Sequence, residues 1–319
     1  MGTSLSTRAA ACSALVLAAA SLLLAESPQQ LVVSDPGPRP EAEILAATEA
    51  SDWRPLDPEN TLYLELASGR IVIELAPDYA PLHVAQMKAL ARGGFYDGLA
   101  IYRAVENFVV QGGDQSGERS TGDAAKTLPA EFERTLEPAL PFTPLGAADG
   151  YAAEVGFVNG FPAARDRTAG KSWLVHCPRA MAMARDNLPE TGGTEFYVVI
   201  GHAPRYLDRN LTIFGRVLRG QELLQVLPRG HGERGVIDDP ERRTAIISLR
   251  VAADLPASER TPLEILRTDS AAFLETIAAR RNRPEQFFIY RPDHIDVCGV
   301  PIPAREPTAA DGAAEADAE

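Results

Sequence analysis

The residues best placed to do chemistry lie between Phe95 and Asp114. Two short apolar runs, Ile101 to Val105 and Phe108 to Gln111, flank the turn-like pair Glu106-Asn107 and read as strands of an antiparallel sheet. Alternation along the first strand places Ile101, Arg103 and Val105 on one face. An arginine there is either a solvated edge residue or one wall of a polar groove. Gln111, Gly112 and Gly113 follow within ten residues and favour the groove, because glycines let another chain approach the backbone closely. Other chemistries have less support. The chain has no Gly-x-Ser-x-Gly elbow of the kind that exposes a nucleophilic serine. Its five histidines, His83, His176, His202, His231 and His294, lack metal-ligand spacing, so no metal is expected. A net charge of −13 argues against nucleic acid as a partner, since an acidic surface does not neutralise phosphates.

The surrounding elements must position Arg103. Leu62 to Leu66 and Ile71 to Leu75 predict a hairpin with Gly69 at its turn. Pro81, a stripe of Leu82, Ala85, Met87, Ala89 and Leu90, and the pair Gly93-Gly94 predict a helix, with His83 exposed on it. Strands return at Trp173 to His176, Ala180 to Arg185 and Thr194 to Ile200. A loop from Tyr206 leads into a strand ending at Val217, Gln221 to Leu227 is a short helix, and Thr244 to Val251 is a closing strand.

These residues carry a resemblance. Phe95-Tyr96-Asp97-Gly98, Arg103, Phe108 and Gln111-Gly112-Gly113-Asp114 match, without a gap, the first signature of the cyclophilins. The run from Met183 to Tyr197 resembles the second signature, and Tyr206 to Val217 the third, so the resemblance covers about residues 59–255. It implies a mainly β fold, a closed eight-stranded antiparallel barrel capped by two helices, and peptidyl-prolyl cis–trans isomerase activity on proline-containing polypeptides, which requires no metal or other cofactor. By resemblance Arg103, Gln111 and Phe108 are catalytic, and Val109, Met183, Glu195, Phe196, Tyr206, Leu207 and Leu211 bind substrate. The sequence departs from the family at three of these places and at Tyr102. Tyr102 stands for a histidine, Glu195 for a glutamine, Tyr206 for a tryptophan and Leu211 for an aromatic or histidine. Glu195 is expected either to hold Arg103 in an ion pair or to compete with substrate for it. A proline-binding chaperone or scaffold module with little turnover is the alternative reading.

The rest of the chain reads as additions to that domain. Residues 1–25 carry Arg8 and then an apolar run of roughly 17 residues, a signal peptide for export to the periplasm, with an uncleaved anchor as the other reading. After cleavage no membrane association is expected, and the protein is expected to be a monomer. Residues 26–58 are proline-rich and read as a linker, with Trp53 anchoring its end. Residues 138–170 exceed the needs of the family core by roughly thirty and read as an insertion, a groove wall or a surface loop. Residues 256–304 read as an extension, helical from Pro262 to Arg281, either packed on the barrel or available to a partner. Residues 305–319 read as a disordered acidic tail. Without Cys12, Cys177 and Cys298 are an even pair in an oxidising compartment, either bridged or two separate thiols.

Overall fold

The computed structural model describes residues 39–307; the expected signal peptide, the first part of the linker and the tail from residue 308 lie outside the described residues. The described chain opens with a helix α1 (Glu41–Ala46) and a strand β1 (Trp53–Pro55). Strands β2 (Thr61–Leu66) and β3 (Gly69–Leu75) form the expected hairpin, with Gly69 at a φ of 135° that only glycine adopts freely. Helix α2 (Pro81–Arg92) follows, then β4 (Ala100–Ala104) and β5 (Val109–Gly113). Five strands of a second sheet come next: β6 (Arg134–Thr135), β7 (Thr143–Pro144), β8 (Glu154–Val158), β9 (Phe161–Asp166) and β10 (Lys171–Leu174). The first sheet resumes with β11 (Ala180–Met183), β12 (Phe196–Val199), β13 (Ile213–Arg219), helix α3 (Gln221–Gln225) and β14 (Thr244–Val251). Strand β15 (Glu264–Leu266), helix α4 (Ala271–Asn282) and β16 (Ala304–Arg305) end it.

Eight strands close into an antiparallel barrel in the order β11-β12-β5-β4-β14-β2-β3-β13. Period-two alternation sends Leu62, Leu64, Leu66, Ile71, Ile73 and Leu75 inward, where they meet Met181, Phe196, Phe214 and Leu249. The two ends are capped by α2, through Val84, Met87 and Leu90, and by α3, through Leu224. The apolar face of α2 is not the expected stripe. Leu82, Ala85 and Ala89 are exposed, and His83 is buried with Nδ1 2.7 Å from Glu131. Glu131 also accepts the backbone N–H groups of Leu82 and His83, which caps the first turn where helical donors lack partners. A carboxylate from 48 residues downstream in the chain explains why His83 can be buried.

The additions depart further from expectation. Residues 138–170 are not a loop: β7, β8 and β9 lie in a five-stranded sheet ordered β6-β10-β9-β8-β7. The β8–β9 hairpin turns on Asn159 and Gly160, both at positive φ, the two-residue pair that matches strand twist best. The linker expected over 26–58 is folded from Glu41 onward, because β1 pairs with β15 and Trp53 is buried against the extension. In the extension, the helix expected from Pro262 begins only after Ser270, whose side chain accepts the Phe273 N–H as an N-cap. The preceding Glu264–Leu266 is the middle strand of the sheet β1-β15-β16, so Arg305 belongs to a strand rather than to a tail. Phe287, Ile289 and Tyr290 are exposed and belong to no strand.

Two apolar clusters fasten these additions down. Tyr63 and Val72 on the outer face of the β2–β3 hairpin pack with Leu218, Leu263 and Ile265, which lays the extension on the barrel. Val155, Phe157 and Trp173 of the second sheet pack with Trp53, Phe273 and Val297. Cys177 and Cys298 are bonded to each other and close a span of 121 residues between the barrel and the extension. Cross-linking a loop of this length restricts the unfolded chain strongly. Replacing Cys298 by serine should therefore lower the unfolding free energy by about 2–5 kcal/mol; an unchanged urea midpoint would show that the bond adds nothing to the clusters.

Candidate active site

Between Ile101 and Arg103 the register of β4 against β5 slips: Ile101 faces Gly112, Arg103 faces Gln111 and Ala104 faces Val110. Tyr102 is the extra residue. A bulge re-aims side chains locally, and this one directs both Tyr102 and Arg103 towards Gln111 while Ile101 and Ala104 stay in the core. Plain alternation, which would keep Ile101 and Arg103 on one face, fails for that reason.

Arg103 is half-buried and held at two points. Its Nε donates to the carbonyl of Arg234 at 2.7 Å, and its Nη1 donates to Gln111 Oε1 at 3.1 Å. The Arg234 carbonyl reaches it because Gly230 and Ile237 donate their N–H groups to Ala104 and Tyr102, laying the intervening loop over β4. Among the described residues Nη2 has no hydrogen-bond partner. The guanidinium carbon lies 5.9 Å from the ring centre of Phe108. Burial lowers the pKa of Arg103, but a guanidinium has ample margin to stay charged.

Gln111 passes the contact on. Its Nε2 donates to the Tyr102 hydroxyl at 2.7 Å, and that hydroxyl donates to Oε2 of Glu195. Glu195 forms no ion pair with Arg103, because Gln111 stands between them, its Oε1 on Arg103 and its Nε2 also 3.5 Å from Glu195 Oε2. Burial pushes the Glu195 carboxyl up to about 7, against the pull of its hydrogen bonds with Tyr102 and Gln111 and helped by the charge of Asp114. Its Oε1 is buried without a partner and lies against Gly113, where a Cβ would come within 2.5 Å of it.

The apolar wall comes from the outer face of β5, β11 and β12. Phe196 and Met183 pair across β11–β12 and both point into the barrel core, so neither lines the groove as expected. The residue that does is Tyr197, which pairs directly with Gln111 and packs with Val109 and Ala182. Phe108, Ala184 and Leu211 are half-buried at the margin of this cluster, whereas Val109 is buried behind it. Leu207 and Leu211 border a surface cavity of about 310 Å³ shared with Arg185, Asp186, Asn210 and Arg234. Tyr206 is 63% exposed beside it.

Comparison with known proteins decides what this site belongs to. A model of the cyclophilin type peptidyl-prolyl cis-trans isomerase/CLD family matches residues 61–251, from the first strand of the barrel to its last. The chain belongs to the cyclophilin family. A probable peptidyl-prolyl cis-trans isomerase of Brucella suis biovar 1 is 30% identical over 210 residues, covering 62% of this chain and 85% of its own. The human peptidyl-prolyl cis-trans isomerase-like 1 is 31% identical over 176 residues, covering 55% and 81%. The crystal structure of cyclophilin AquaCyp293 from Hirschia baltica matches with a TM-score of 0.66 and 29% identity, covering 84% of this chain and 97% of that one. The chain is thus a cyclophilin-type peptidyl-prolyl cis–trans isomerase with additions at both ends and within its barrel sequence.

One of those additions supports the cyclophilin groove from behind. The Tyr197 hydroxyl lies 2.8 Å from His176 Nε2, and His176 Nδ1 lies 3.0 Å from Asp208. A carboxylate only accepts, so Nδ1 carries the proton, and in the neutral ring Nε2 accepts from Tyr197. Asp208 accepts from Arg205, whose other two nitrogens grip Asp149 of the second sheet's connecting loop at 2.8 and 2.9 Å. Burial raises the Tyr197 pKa far above its ordinary value, so the phenol stays a donor.

Two outcomes follow for this cyclophilin. Phe196→Ala should lose about 3–5 kcal/mol as a core cavity forms, while Tyr197→Phe should lose about 1–3 kcal/mol through the unpaired His176 nitrogen; urea denaturation measures both, and equal losses would contradict the assignment of faces. Because the folded Glu195 carboxyl is raised above its ordinary 4.5, its contribution to stability is full below about pH 4.5 and is lost as the pH rises through about 7. Relative to Glu195→Gln, the wild type should lose up to about 3 kcal/mol of unfolding free energy over that window, read from denaturation curves at pH 5 and pH 8.

Proposed function

We propose that this cyclophilin accelerates Xaa-Pro isomerisation with Arg103 as the group that stabilises the twisted amide, and that it serves folding of exported proteins. Rotation about the peptide bond is opposed by a resonance barrier of about 18–20 kcal/mol. No covalent intermediate is needed. The site has only to bind the twisted amide better than either planar isomer. In that state the proline nitrogen is pyramidal and its lone pair accepts a hydrogen bond. The observation that carries the reading is the fixed guanidinium: Nε and Nη1 are spent on Arg234 and Gln111, and Nη2 is left as a donor next to Phe108. A preorganised charged donor of this kind acts without having to reorganise in the reaction.

The apolar margin supplies a place for the proline ring. Leu207 and Leu211 are half-buried at the cavity, and Phe108 and Leu211 pack on the buried cluster that contains Tyr197 and Val109. Every tenfold gain in rate needs about 1.4 kcal/mol, so one charged hydrogen bond strengthened in the twisted state accounts for at least one order of magnitude. The bonded pair Cys177–Cys298 supports an oxidising compartment, and with it the export and periplasmic location expected from residues 1–25.

Isomer exchange on an Ala-Pro-Phe type peptide tests this directly. Wild type should accelerate exchange and Arg103→Ala should lose at least tenfold in kcat/KM. Equal rates for the two proteins would sink the role of Arg103. Binding of the peptide without any acceleration by wild type would favour the proline-binding module instead.

A further inference from the structure

The contacts that hold Arg103 form a directed chain. Arg103 Nη1 donates to Gln111 Oε1, Gln111 Nε2 donates to Tyr102 Oη, and the Tyr102 hydroxyl donates to Glu195 Oε2. A guanidinium has no acceptor and a carboxylate no donor, so the ends fix the sense of every link. Tyr102 and Gln111 are ambivalent groups, and each takes its orientation from its neighbours. We infer that Tyr102 and Glu195 are positioning residues for the isomerisation, setting through the Gln111 amide whether Arg103 is held in its working orientation, and that this device makes the enzyme sensitive to pH around neutrality. The inference rests on Arg103 as the isomerising group.

What protonation does follows from the surroundings of the carboxyl. Tyr102 faces Glu195 from β4, Gln111 and Asp114 from β5 and the turn after it, and Tyr96 from the turn before β4, while Arg103 is reached only through Gln111. No cation pairs with it among the described residues. A proton on Oε1 would be a buried donor without an acceptor, since that atom has no partner and lies against Gly113. On Oε2 the proton has one to serve, the Tyr102 oxygen. The Tyr102 hydroxyl proton then loses its acceptor, and Gln111 is its one other partner, which satisfies it only when the amide turns to present Oε1. Nε2 is thereby brought to Arg103 Nη1, and two donors face each other. Taking up one proton reverses the chain and removes one of the two acceptors that anchor Arg103, leaving only the Arg234 carbonyl on Nε. Burial keeps this carboxyl protonated at unusually high pH, up to about 7, so the reversal falls in an ordinary working range.

The uncatalysed rotation involves no titrating group, so the pH profile of kcat/KM reads the enzyme. Wild type should lose roughly tenfold in kcat/KM between pH 8 and pH 5.5, the loss expected for one charge-assisted contact. Glu195→Gln, whose amide oxygen accepts from Tyr102 at every pH, should flatten that profile. Tyr102→Phe, which removes the middle of the chain and little volume, should lower kcat/KM about tenfold at pH 8 and flatten it as well. The side-chain amide of Gln111, followed by nitrogen NMR, should titrate near pH 7 in wild type and not in Glu195→Gln. A flat wild-type profile, superimposable profiles for wild type and Glu195→Gln, or an unmoved Gln111 signal would overturn the inference. Those outcomes with Arg103→Ala still inactive reject the positioning chain alone. Full activity of Arg103→Ala rejects the role of Arg103, and the Gln111 signal still reports on the chain.

Discussion

One extra residue in β4 has consequences throughout the site. A closed barrel has a strict inside and outside, and strict alternation would send Arg103 to the same side as Ile101, into the core. A guanidinium there would be a buried charge without a carboxylate, which is among the most destabilising arrangements a core can contain. The bulge at Tyr102 shifts the phase of the strand, so that the residues before it serve the core and Arg103 serves the groove. The loop bearing Arg234 folds back onto the bulged segment and takes up backbone groups that a regular ladder would have paired. The interruption of the ladder and the placement of Arg103 are therefore one feature.

Around that point the barrel's outer face is divided among three tasks. One part is the groove, one carries the extension on Tyr63 and Val72, and one is covered by the second sheet. The second sheet is more than cover, because Asp149, Arg205, Asp208 and His176 form an unbroken buried line that ends on the hydroxyl of Tyr197. Buried polar groups are tolerated when each has its partner, and here the requirement also locks an aromatic ring of the groove wall. A second buried ion cluster, Glu74 between Arg54 and Arg216, joins the start of the described chain to β3 and β13 in the same way.

Much of this was legible in the sequence, and the remainder was hidden for identifiable reasons. The hairpin at Gly69, the strands around Arg103 and the family signatures are local patterns, and local patterns can be read. The faces were less secure. Phe196 was expected in the groove by its place beside Glu195, yet the register of β12 on β5 gives that place to Tyr197, one residue on; counting alternate residues from Gln111 across the pair would have found it. The Asn159-Gly160 turn was a readable hairpin signal inside a stretch taken for a loop. Other features depend on partners distant in sequence. Trp53 and β1 look like a tether until residues 264–266 are beside them, His83 looks exposed until Glu131 arrives, and Glu195 looks like a partner for Arg103 until Gln111, joined by Tyr102, stands between them.

The sheet β1-β15-β16 also imposes an order of events on synthesis. Strand β1 leaves the ribosome early and has nothing to pair with until residue 264 follows it, more than two hundred residues later. Strand β2 is in much the same position, since its second neighbour in the barrel is β14. Contacts so distant along the chain make folding slow, and they leave the first half of the polypeptide without a stable partner while the second half is being made. The chain also carries 25 prolines, each preceded by a bond that can start in the wrong isomer. A nascent molecule of this protein is thus itself a slow-folding, proline-rich polypeptide.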